Sequence, residues 1–270
     1  MKTGGIPSTC IGVFDSGVGG LSILGALHRR LPTAPLVYVG DVAHAPYGAR
    51  AAREVIDCSM RIVERLASAG AGAQMIVVAC NTATVMAIEA LRARWPALVF
   101  VGVEPGVKPA TAQSRTRRIA VMVTHATARS DRLQHLIARY AEDAHVHVQA
   151  CPGLAEAIEL GALDGPALLD VLRPHCDAVL RANVDTVVLG CTHYPFVEAS
   201  IRELLGPEIT LIDTASAVAE RAASLWAQTS PVFEPKPRVR VMSTGAAATM
   251  RLLLQRCPGL EDTEVESLDA

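Results

Sequence analysis

Short runs of β-branched and aliphatic residues alternate with longer stretches whose apolar positions recur every three to four residues. In the first half, residues 11–14, 36–39, 75–79 and 98–103 read as buried strands. Between them, residues 21–31, 51–69 and 83–94 carry a helical period. The second of these is the clearest: Val55, Ile56, Ile62, Val63 and Leu66 share one face, and Gly70 follows as a stop. Pro32 and Pro96 end the other two. The order βαβαβαβ predicts a mostly parallel sheet with helices on both sides.

The pattern then restarts. Strands are expected at 119–123, 146–150, 186–189 and 210–212, and helices at 131–140, 154–160, 167–182 and 197–205. A linker at 104–114 separates the two rounds. After Thr214 come a long helix, a strand at 239–242 and a last helix, too little for a third domain. The expected architecture is therefore α/β with two pseudo-two-fold-related domains, each a mostly parallel sheet flanked by helices. Residues 1–105 plus 214–270 form the first, and residues 106–213 the second. Such a body places a ligand in the cleft between its halves.

Composition narrows the class. Aliphatic packing dominates, since only 4% of the 270 residues are aromatic while 50% are hydrophobic. The net charge of −2 announces no basic face, which argues against nucleic acid as a partner. Arg115, Arg117 and Arg118 read as a solvated turn. No apolar run approaches the length of a membrane span. Asp15 interrupts the apolar stretch that a signal peptide beginning near Lys2 would need. The seven cysteines are odd in number and contain no Cys-x-x-Cys, so free thiols in a reducing cytoplasm are expected.

Two of those cysteines have matching settings. Cys80 follows Met75–Ala79 and precedes Asn81-Thr82; Cys191 follows Thr186–Gly190 and precedes Thr192-His193. A thiol at a strand-to-helix junction lies at the end of a parallel sheet, where α/β sites form. Asn81, Thr82 and Thr192 are capping types and Pro195 suits the first turn, so both thiols are expected at the positive end of a helix, which lowers a thiol pKa. Cys10, Cys58, Cys176 and Cys257 read as small buried hydrophobes, and Cys151 as structural. Asp15-Ser16-Gly17-Val18-Gly19-Gly20 is a poor dinucleotide fingerprint and reads as a turn whose N–H groups hold a carboxylate, with Asp15 aimed into the cleft. Tyr47-Gly48 reads as a lid. His193 shares a proton path with Cys191, and Thr124 and Thr127 flank a helix start. Alone, each would be an ordinary turn, cap or structural residue.

Taken together, the segments Phe14–Leu21, Ala45–Gly48, Cys80–Thr84, Gly102–Gly106, Thr124–Thr127, Gly190–Pro195 and Ile212–Ala215 carry a specific resemblance. The chain resembles the bacterial glutamate racemases, cofactor-independent members of the aspartate/glutamate racemase superfamily. The resemblance implies a two-base mechanism: Cys80 takes the α-proton of D-glutamate and Cys191 that of L-glutamate, with Asp15 assisting Cys80 and His193 assisting Cys191. It implies that Ser16, Tyr47, Gly48, Asn81, Thr82 and Thr192 bind the amino acid, with Thr124 and Thr127 near its carboxylates. It further implies no pyridoxal phosphate and no metal, a pair of identical subunits, and D-glutamate as a peptidoglycan precursor. Glu159 stands where the family has a glutamate near the second base. Glu156, one turn earlier, is an added carboxylate that puts the role of Glu159 in question. The short segment before Ile11 leaves little room for the extension that carries nucleotide-precursor activation in some members, so no such regulation is expected.

Three rival readings fit the same sequence. They are a racemase for aspartate or another small acid, a non-catalytic protein that binds in the same cleft, and a lyase using one thiol. Retention of both thiols, Asp15 and His193 argues against the last two.

Overall fold

The computed structural model describes residues 10–68, 72–229 and 239–268. Gly70, the expected stop of the second helix, and the segment containing Lys2 lie outside them. Contacts divide the chain into two units, Met1–Val103 with Ala215–Ala270, and Glu104–Thr214.

In the first unit β1 (Cys10–Asp15), α1 (Leu21–Arg30), β2 (Leu36–Gly40), α2 (Ala52–Ser68), β3 (Ala73–Val78), α3 (Asn81–Arg94) and β4 (Val99–Gly102) follow one another. The second unit contains α4 (Val107–Gln113), β5 (Arg118–Val123), α5 (His125–Ala128), α6 (Asp131–Tyr140), β6 (His145–Ala150), α7 (Leu154–Glu159), α8 (Gly165–Arg181), β7 (Thr186–Leu189), α9 (Glu198–Leu205) and β8 (Thr210–Ile212). The chain then returns to the first unit with α10 (Ala215–Trp226), β9 (Val239–Ser243), α11 (Ala248–Leu254) and β10 (Val265–Ser267).

Both sheets are parallel. The first has the order β10-β9-β2-β1-β3-β4 and the second β6-β5-β7-β8. The four strands β2-β1-β3-β4 thus repeat as β6-β5-β7-β8, the duplication expected from the sequence. The central strands are covered on both faces, which is why they read as continuous apolar runs. Ile11, Val13 and Phe14 of β1 and Ile119, Val121 and Val123 of β5 are buried. Each such side chain contributes about 1.5–3 kcal/mol relative to exposure. On α2 the predicted face holds: Val55, Ile62, Val63 and Leu66 are buried in the first core, with Ile56 packed against it.

Some elements differ from the sequence reading, which has no separate helix at α5. The expected linker at 104–114 contains α4. Pro105, Gly106 and Pro109 give that stretch the look of a loop, but Pro109 falls in the first turn, where an N–H has no intrahelical acceptor to lose. Val107, Ala110 and Thr111 are buried by the helix. The short edge strand β10 has no counterpart in the sequence pattern, because Glu266 and Ser267 are exposed and carry no apolar signal. At the start of β7, Asp185 accepts from Ser114 Oγ (2.6 Å) and from the N–H groups of Arg115 (2.8 Å) and Thr116 (2.7 Å). Burial opposes its charge, but these bonds prevail and hold its carboxyl down at about 2.

Candidate active site

Both cysteines singled out by the sequence sit two residues beyond the end of a strand, on backbone fixed in the same way. The Ala79 N–H donates to the Phe14 carbonyl of β1 at 2.7 Å, and the Gly190 N–H donates to the Met122 carbonyl of β5 at 2.8 Å. Each thiol therefore starts from a residue tied to the central strand of its sheet. At Gly190 the approach is so close that a Cβ would lie 2.6 Å from Val123 Cγ1 and 2.8 Å from the Met122 oxygen. Only glycine fits there without displacement.

In the first unit Cys80 is the N-cap of α3, and its sulfur accepts from the Ala83 N–H at 3.4 Å. The Thr84 N–H closes an α-helical bond to the Cys80 carbonyl at 2.9 Å. The thiol also donates to Ser16 Oγ at 3.7 Å. Asp15 is fully buried at the end of β1. Its Oδ2 accepts from the N–H groups of Gly17 (3.1 Å) and Gly20 (3.0 Å). This differs from the sequence reading, in which the turn holds a carboxylate and Asp15 is aimed away from it: the carboxylate on the turn is the side chain of Asp15 itself. Gly20 is required by this embrace, since a Cβ there would meet Asp15 Cβ at 2.6 Å.

Asn81 and Thr82 form the buried first turn of α3. Asn81 Nδ2 donates to the Val103 carbonyl at 3.5 Å, while its Oδ1 is buried without a hydrogen bond in the protein. Tyr47 differs from the expected lid: its ring is fully buried, and its hydroxyl donates to Asp41 Oδ2 at 2.7 Å. Burial first, then the nearby Asp41, Cys58 and Cys80, push the phenol far above its ordinary pKa. Gly48 is half-buried on the same short 3₁₀ turn, Tyr47–Ala49.

In the second unit the expectation of a helix directly after Cys191 fails. The Tyr194 N–H bonds to the Cys191 carbonyl (3.1 Å) and the Phe196 N–H to the His193 carbonyl (3.1 Å), a tight 3₁₀ path; α9 begins only at Glu198. Pro195 is the reason. It stands four residues after Cys191 and has no N–H to make the bond that Thr84 makes to Cys80. In place of a helix terminus, Cys191 has an imidazole: its sulfur lies 3.6 Å from His193 Nδ1, and His193 Nε2 lies 2.6 Å from Glu159 Oε1. The carboxylate at His193 is thus Glu159 of α7, not Glu156. Burial disfavours charge on His193, but the Cys191 sulfur and the Glu159 carboxylate outweigh it and hold its pKa well above the ordinary imidazole value.

Thr192 is buried beside Cys191. Thr124 caps α5, accepting from the Thr127 N–H at 3.3 Å, and its hydroxyl donates to Thr127 Oγ1 at 3.1 Å. Two residues that the sequence did not single out also belong to these surroundings. Asp41 at the end of β2 anchors Tyr47, and buried Tyr194 lies beside Cys151, whose thiol burial pushes up. An acidic residue closing a strand, as Asp15 closes β1, was the available signal for Asp41.

Residues 20–222 match the family described as Asp/Glu/Hydantoin racemase. The chain is 47% identical to the glutamate racemase of Herpetosiphon aurantiacus over 217 residues, 80% of this chain and 84% of that one. Among solved structures it resembles glutamate racemase isoform RacE1 from Bacillus anthracis, with a TM-score of 0.86, 29% identity and 97% of each chain covered. It also resembles Escherichia coli glutamate racemase solved with L-glutamate and the activator UDP-MurNAc-ala, with a TM-score of 0.84 and 29% identity over 97% of this chain and 98% of that one. The chain belongs to the Asp/Glu/Hydantoin racemase family, a class of isomerases. Within that class, its relatives include the glutamate racemases of Herpetosiphon aurantiacus, 47% identical, and of Ectopseudomonas mendocina, 42% identical over 90% of this chain and 92% of that one.

Proposed function

We propose that this racemase interconverts L- and D-glutamate by two-base proton transfer at Cα, with Cys80 and Cys191 as the two bases. The observation that carries this reading is the pair of thiols at equivalent strand ends, one per unit, each on backbone pinned to its central strand. Inversion at carbon needs a base to remove a proton from one face and an acid to return one to the other. Two cysteines, one as thiolate and one as thiol, exchange those roles when the direction reverses. Cys80 takes the proton of D-glutamate, and Cys191 that of L-glutamate.

The partners of each thiol support the assignment. The start of α3 and its N–H groups favour negative charge on Cys80. His193, held by Glu159, is a proton carrier beside Cys191. Asp15 assists Cys80 from the turn that grips it. Asn81 Oδ1 is an acceptor for the substrate ammonium, and Ser16, Thr82, Thr192, Thr124 and Thr127 supply hydroxyls for its carboxylates. The hydroxyl of Tyr47 is engaged by Asp41, so the Tyr47-Gly48 turn contributes through its backbone. The mechanism uses no pyridoxal phosphate and no metal.

The same reading takes D-glutamate as a precursor for peptidoglycan, two identical subunits as the assembly, and the cytoplasm as the location. All seven cysteines are free thiols, which suits a reducing compartment. No described helix is long and apolar enough to cross a membrane. The test is the decay of the circular dichroism of L-glutamate with purified protein, a chelator and no added cofactor, with L-aspartate in parallel. Decay with glutamate is expected. Decay only with aspartate would move the substrate, and silence on both would overturn the proposal. Light scattering of the same sample reads the subunit number.

A further inference from the structure

One cluster in the first unit is not used by the proposed reaction. Asp41 follows β2, His44 lies on the short turn Val42–His44, and Cys58 lies on α2. One donor atom from each lies within 4.8 Å of the other two. Asp41 and Cys58 are buried and His44 is half-buried, so the cluster is reached from the His44 side. Cys58 read in the sequence as a small buried hydrophobe, but its sulfur accepts from Arg61 Nη2 at 3.2 Å, a polar setting.

We propose that Asp41, His44 and Cys58 form a binding site for a borderline-soft divalent cation of the zinc class, separate from the racemisation chemistry. Carboxylate oxygen, imidazole nitrogen and thiolate sulfur are the donor types zinc takes. At bond lengths of about 2.1 Å, oxygen and nitrogen on one tetrahedral ion stand about 3.4 Å apart. His44 Nδ1 and Asp41 Oδ1 are already 2.9 Å apart, so a small spreading admits the ion between them. Asp41 is braced for the role: Oδ1 also accepts from Thr244 Oγ1 at 2.8 Å, and Oδ2 from the Tyr47 hydroxyl at 2.7 Å. Such outer partners orient ligands in metal sites. Binding replaces the Cys58 thiol proton with the metal, and that proton leaves to solvent. Three protein ligands leave a fourth position for water.

The test is titration of the full-length protein with Co²⁺, followed by absorption. The expected result is one equivalent bound, with visible bands of tetrahedral cobalt and a near-ultraviolet thiolate-to-cobalt band, both displaced by Zn²⁺. Cys58→Ser is expected to remove the thiolate band and His44→Gln to weaken affinity on the order of 100-fold, with unchanged far-ultraviolet circular dichroism. Absence of a thiolate band in the native chain would overturn the proposal, as would a band of full intensity in a folded Cys58→Ser variant. Cys10→Ser, remote from the cluster in the sequence and at the start of β1, is expected to titrate like the native chain.

Discussion

Cys80 and Cys191 occupy the same place in two copies of one sheet, yet they are equipped differently. Both follow a residue bonded to the central strand, at 2.7 and 2.8 Å. Beyond that point the copies diverge at one matched position, four residues on. Thr84 has an N–H and starts a helix with Cys80 as its cap; Pro195 has none, and the chain takes a 3₁₀ path that brings His193 to the sulfur of Cys191. One thiol is served by the Ala83 N–H at a helix terminus, the other by an imidazole and a carboxylate. The strand end fixes where a base stands, and the four residues after it fix how its proton is managed.

The strongest way to break this comparison is to remove either thiol. Cys80→Ala and Cys191→Ala should each lower racemisation by about 10²–10⁴-fold or more, measured as the rate of optical decay. Because enantiomers have equal free energy, kcat/KM must fall equally in both directions whichever thiol is removed. A variant retaining near-native rate would show that its thiol is not a base.

A smaller loss is expected from the partners, and here the two sides should differ. His193→Gln should reduce kcat about 100-fold, whereas Ser16→Ala, which removes the long thiol contact at 3.7 Å and one hydroxyl assigned to the substrate, should lower kcat less than about tenfold, with the substrate contact read in KM. Glu159→Gln should resemble His193→Gln and change the pH profile of kcat, a response that a purely structural carboxylate would not give. Equal losses at Ser16 and His193 would erase the distinction drawn between the two thiols.

The residue before each cysteine gives a stability comparison. Gly190→Ala forces a methyl against the Met122 carbonyl and Val123 and should cost about 1–3 kcal/mol. Ala79→Gly, its counterpart, should cost about 1 kcal/mol through backbone entropy. Urea unfolding of the two variants measures both.

The smallest expected effect is in pH dependence. The folded-state pKa of His193 is raised above the ordinary value of about 6.5. Its contribution to stability is therefore complete below about pH 6.5 and is lost as pH rises through the folded value. Unfolding free energy followed upward from pH 6 should show this slope in the native chain and lose it in His193→Gln. A slope unchanged by the substitution would assign it to other groups.

Much of this is legible in the amino-acid sequence. Residues 186–189 and 210–212 are strands with the expected limits, and the repeat of strand order follows the repeat of apolar runs. Buried parallel strands advertise themselves because both faces are covered. What stayed hidden was set by single backbone groups or by distant side chains. Pro195 looked like a helix starter, and only its distance of four residues from the Cys191 carbonyl shows that it prevents the helix. Pro109 looked like a loop residue, although first-turn geometry tolerates it. Tyr47 looked like a lid because its neighbours are Pro46 and Gly48, but Asp41, brought up by β2, holds its hydroxyl inside. Two glutamates one turn apart on α7 could not be ranked from spacing, and the 2.6 Å contact with His193 distinguishes them.

The most direct measurement of the central claim is the early fate of deuterium. L-glutamate is incubated in D₂O and stopped at low conversion, and Cα isotope content is read separately in each enantiomer. Two bases predict D-glutamate carrying deuterium at Cα while the remaining L-glutamate keeps protium. Product that retains protium, or L-glutamate labelled as fast as product appears, would mean that one group serves both faces and would contradict the account.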